Sequence, residues 1–166
     1  MRNWLALLLP FFAVLLAVLS VMAFTGFFAE RVAPEDAPWV ALADVEHATG
    51  FVRTSGMAHY GMVLEQHTPG NLIRDPEDRW VYPLTAPYQS EERMIKVLVS
   101  SPVEPEDLVD LEMLTVEGWV SPLTPDLLPY DVQRRLGRDT DYYLADDVVW
   151  IEAARVEPGL DPRARP

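Results

Sequence analysis

Apolar positions fall into two regimes along this chain. Residues 4–28 carry no charged side chain and are mostly Leu, Val, Ala and Phe. At about 1.5 Å per residue such a run reaches roughly 37 Å as a helix, more than a hydrocarbon core of about 30 Å. The pattern predicts one N-terminal transmembrane helix within residues 1–29, with room to tilt and tolerance for Pro10. Trp4 stands where an interfacial aromatic belongs, and Phe24, Phe27 and Phe28 crowd the other end. After the run the period changes to two. Ile95, Val97 and Val99 share one face of a predicted strand over residues 94–99, with Met94, Lys96 and Leu98 on the other. Over residues 111–120, Leu114, Val116 and Val120 fall together, opposite Thr115, Glu117 and Trp119.

Turn chemistry divides the rest. Residues 50–54 precede Ser55-Gly56, and residues 60–66 precede Thr68-Pro69-Gly70-Asn71. Residues 79–84 lie between Asp75-Pro76-Glu77-Asp78 and Ala86-Pro87, and residues 142–151 make a last strand or a hairpin around Asp146-Asp147. One short helix is expected between the last two strands. Thr124-Pro125-Asp126 offers a start, Val132 and Leu136 an i, i+4 pair, and Gly137 a stop. The expected class is mainly β: the transmembrane helix, then a small β-barrel or sandwich of OB-like kind with one short helix. The boundaries read as anchor 1–29, stalk 30–38, β domain 39–154 and a flexible Pro-rich tail 155–166.

Charge orients the anchor. Arg2 is the only charged residue before Glu30, so the remainder carries 12 basic against 26 acidic groups, a formal −14. The positive-inside rule places the amino terminus in the cytoplasm and the domain outside, a compartment that in a Gram-negative cell is the periplasm. A cleaved signal peptide with a site at Val21-Met22-Ala23 is the rival reading, but the apolar run continues past it. So acidic a domain repels nucleic acid, which is not expected as a partner. With no cysteine, disulfides, thiolate metal sites, iron–sulfur clusters and cysteine nucleophiles are excluded together.

Candidate chemistry is sparse. His47, His59 and His67 match no strong metal-ligand spacing. Met57, His59 and Met62 join two soft thioethers to an imidazole, a set suited to copper. Methionines commonly pack in cores, and that reading is favoured. The acidic clusters lack the glycine and terminal glutamate of a calcium loop and read as solvated turns. No nucleophile elbow, Walker or dinucleotide motif is present. No cofactor and no catalytic activity are expected.

Aromatic residues are abundant. Most should be core, while Trp80, Tyr82 and Tyr88, flanked by Pro83 and Pro87, are candidate interface anchors together with Trp4, Phe24, Phe27 and Phe28. The run Leu114-Thr115-Val116-Glu117-Gly118-Trp119-Val120-Ser121-Pro122 resembles the Gly-Trp-Val-Pro segment of a family of cytochrome-oxidase assembly factors, which also hold a small β domain outside the membrane. Glu117 stands where that segment usually has arginine, and no role is carried over from the likeness. The expectation is a non-catalytic, single-span accessory subunit of a larger membrane complex, respiratory or photosynthetic. It would contact the lipid bilayer, integral membrane subunits and their periplasmic domains. A membrane-anchored assembly factor or metal carrier, and an envelope ligand- or peptide-binding module, are the alternatives.

Overall fold

The computed structural model describes residues 12, 14–18, 20, 33–68, 76–86, 94–105, 111–139 and 142–159. The chain divides into two units, Met1–Val32 and Ala33–Pro166. In the first, the described residues are helical and expose Phe12, Val14, Leu15, Leu16 and Val18. Among the described residues no helix is long and apolar enough to cross a membrane. The expected span over residues 1–29 lies mostly outside them, as do Trp4, Phe24, Phe27, Phe28 and Tyr88.

The second unit is mainly β sheet with a few short helices. Its strands are β1 (Gly50–Ala58), β2 (Leu64–Thr68), β3 (Glu77–Thr85), β4 (Met94–Ser101), β5 (Glu112–Pro122) and β6 (Tyr143–Pro158). A helix, α1 (Tyr130–Asp139), joins β5 to β6, and 3-10 turns occupy Leu42–His47 and Tyr60–Met62. The strands form one sheet in the order β1-β5-β6-β4-β3-β2, parallel only between β4 and β6. β1 also meets β3 at Met57↔Thr85 and Ala58↔Leu84.

Alternation along the strands builds two cores. Tyr82 and Leu84, Val97 and Val99, Leu114 and Val116, and Val149 and Ile151 point into one cluster, closed by Val45 of the first 3-10 turn. Their neighbours Val81, Leu98 and Trp150 face the other way and meet Leu128, Leu136 and Met62. The helix therefore covers the outer face of β3, β4 and β6. Leu136 of the helix and Leu128 of the turn before it, both nearly fully buried, meet that face.

Three features depart from the periodicity. Ile95 does not share a face with Val97 and Val99, because the β4–β6 register shifts between Ile95 and Val97 and turns Ile95 into the helix-covered core. The helix lies later than its cap signals suggest: Thr124 only starts a turn that bonds Leu127 and Leu128, and Pro129, lacking an N–H, falls just before Tyr130. Finally, β6 runs past Ile151 to Pro158. Arg155, Val156 and Glu157 are paired with Glu117, Val116 and Thr115 of β5.

Candidate functional site

The end of β1 gathers the polar side chains most suggestive of chemistry. Past Ala58, the His59 amide donates to the Pro83 carbonyl at 3.0 Å, which holds the chain against β3. Its Nε2 shares a 2.8 Å hydrogen bond with the Thr85 hydroxyl, and its ring meets Tyr142 edge-on at 5.5 Å. Thr85 is also the strand partner of Met57. Met62, two residues into the 3-10 turn, packs in the helix-covered core. Met57, His59 and Met62 thus lie along one short stretch, and they are 7 %, 6 % and 8 % exposed. Among the described residues no group of three or more His, Cys, Asp or Glu side chains is placed to hold a metal ion.

Deeper in, Tyr60 and Tyr82 stack edge-to-face at 5.0 Å. Burial pushes the Tyr82 phenol up to about 12; the Glu112 carboxylate adds to this and a hydrogen bond with Ser101 opposes it. The Tyr60 phenol is raised further, by burial first, then by Tyr82 and by its hydrogen bond with Glu112. Both stay neutral and act as hydrogen-bond donors near neutral pH, the opposite of what a general base or nucleophile needs. Tyr82 is therefore a core residue, and Trp80 is half-buried against the same cluster.

A charged group on the outer face of β1, β5 and β6 escaped the sequence reading. Glu117 sits opposite Arg53 on one side and Arg155 on the other. Arg53 Nη1 donates to Glu117 Oε1 at 3.1 Å, and Arg155 Nη1 lies 3.0 Å from Oε2. Oε2 receives no aligned hydrogen bond, so the second contact is ionic. The Glu117 side chain is only 8 % exposed, so its charge depends on those two partners. Along the same face, Phe51 packs edge-on to Trp119, and the Ser55 and Thr115 hydroxyls meet at 2.7 Å. The alternation of Thr115, Glu117 and Trp119 announced this face, but its partners lie in distant strands.

Arg79 performs a parallel task across β3, β4 and β6. It donates to Ser100 Oγ, to the carbonyls of Ser100 and Ala153, and to Glu77. These charges are engaged by the fold itself. A shallow groove beside Thr85 is lined by Leu42, Ala86, Met94, Lys96 and Val97 among others, and no aromatic side chain contributes to it. Met94 and Tyr143, opposite each other at the start of β4 and β6, are both well exposed. Compared with known proteins, the chain matches no family model and no curated protein.

Proposed function

We propose that this protein is a non-catalytic, membrane-anchored accessory subunit whose β domain braces partners outside the cytoplasm. One observation carries the reading. Phe12, Val14, Leu15, Leu16 and Val18, on a helical stretch within an uncharged run, are between 42 and 64 % exposed. A surface so apolar calls for lipid or partner helices around it. The domain supplies a second support, because several of its titratable side chains, among the described residues, are spent on its own ion pairs and hydrogen bonds. Arg53, Glu117, Arg155 and Arg79 tie strands together, and Tyr60 and Tyr82 fill a core. The pairings β1–β5, β5–β6, β6–β4, β4–β3 and β3–β1 run in a cycle, which supports a closed, OB-like barrel for the domain.

The host we favour is an energy-converting complex, respiratory or photosynthetic, in the inner membrane, with the amino terminus in the cytoplasm. A carrier of soft metal ions needs an accessible donor set, whereas Met57, His59 and Met62 are buried. A ligand-binding module needs a concave site lined by the aromatic set, whereas Trp80 and Tyr82 pack into the core.

Recovery of the tagged full-length chain from its native membrane in mild detergent, followed by mass spectrometry, tests the proposal. Stoichiometric recovery of one defined membrane complex is the expected result. Recovery alone, or release of the chain from membranes by alkaline carbonate, refutes it.

A further inference from the structure

The segment that leads into the β domain is fastened to it by residues whose side chains converge on one buried carboxylate. The Arg53 amide donates to the Pro38 carbonyl and the Val40 amide donates to the Arg53 carbonyl, both at 2.9 Å, so Trp39 pairs with Arg53 as an isolated parallel bridge. Upstream, Arg155 Nη2 donates to the Pro34 carbonyl at 2.5 Å. Residues 33–40 are thus a strap laid on the sheet. The two arginines that hold it belong to β1 and β6, and both guanidinium groups engage Glu117 of β5. Glu157, 63 % exposed, lies 3.6 Å from Arg53 Nη2.

We propose that Glu117 is the clasp of this strap: a positioning residue that aims Arg155 at Pro34 and thereby sets whether residues 33–40 are held on the sheet or released. With its carboxylate in place, Glu117 offsets the repulsion between the two guanidinium groups and keeps both turned toward β5. Without it, two like charges face each other across one strand, and Arg155, 43 % exposed, turns to solvent and drops the Pro34 carbonyl. The strap then frays from Pro34 toward Val40, where the Arg53 backbone bonds and the packing of Val40 on the core remain. A single bridge has little cooperativity to resist this, unlike the ladder between β1 and β5. The strap and Glu117 both belong to the second unit, whether or not the apolar run is an anchor.

Amide hydrogen exchange of the full-length chain in detergent, compared between wild type, Glu117→Gln and Arg155→Gln, is the test. Both variants should speed exchange at the Val40 and Arg53 amides roughly tenfold or more, the scale of losing a charge-assisted hydrogen bond. Protection at Val116 and Ile151 should stay as in wild type. The double variant should open the strap no further than either single one, since both act through the same contact. Glu157→Gln, on the exposed neighbour, should leave it closed. Unchanged exchange at Val40 and Arg53 in either variant overturns the proposal. So does uniform loss of protection across β5 and β6 in the Arg155→Gln chain, because Glu117 would then act on global stability only.

Discussion

At Gly118 one hydrogen atom is all that separates the β5 backbone from β6. A Cβ built there would lie 2.5 Å from the Glu152 carbonyl oxygen and 2.9 Å from the Ala153 Cα, both backbone atoms that cannot step aside. Gly118→Ala should therefore destabilise the domain by about 1–3 kcal/mol or more, the usual cost of overpacking. A lowered urea midpoint with unchanged slope measures it, and a midpoint equal to wild type would contradict the geometry. The buried phenols give a second expectation. A tyrosine in an unfolded chain titrates near pH 10, whereas Tyr82 is pushed up to about 12. Its contribution to stability is complete below about pH 10 and is lost as the pH rises toward about 12, because ionisation is easier in the unfolded chain. Phenolate absorbance and circular dichroism should change together in that window. Tyr82→Phe should move the transition upward without abolishing it, since Tyr60 is raised too. The partners of Glu117 were beyond the reach of any local pattern, since Arg53 lies 64 positions away in sequence.

Strands show where periodicity suffices and where it fails. The face of Leu114 and Val116, and the opposite face of Thr115 and Glu117, follow directly from their alternation. In β4 the same rule misplaces Ile95, because the register shifts where residues 145–148 of β6 stand against Lys96 alone, and Ile95 joins the helix-covered core. The end of β6 was illegible for another reason. Residues 152–158 mix Glu, Ala, Arg and Pro without clear alternation, yet β5 offers them a ladder of backbone partners and Arg155 a buried carboxylate. Hydrogen bonding along the backbone needs no side-chain pattern. A chain stopped after Ile151 should therefore fail to fold rather than merely lose a tail. Loss of the cooperative thermal transition by circular dichroism is the expected result, and an intact transition would show that the β5–β6 ladder is dispensable.

For the whole molecule, the two cores and the strand cycle decide what the local elements become. One sheet serves both cores because each of β3, β4 and β6 sends successive side chains to opposite sides: Val81 against Tyr82, Leu98 against Val99, Trp150 against Ile151. The helix is what makes the outer side apolar, and its weak sequence signal hid that second core. The soft donors Met57, His59 and Met62 were legible as a set, and only packing could say that burial encloses them. By itself the sequence determined the uncharged apolar run, the acidic balance after it, the mainly β class and the approximate positions of six strands. Those properties depend on composition and on nearest neighbours along the chain. Tertiary structure alone decided the strand order, the β4–β6 register shift, the Glu117 ion cluster and the strap it holds. Each depends on groups brought together from far apart in sequence, where chain entropy leaves no local trace.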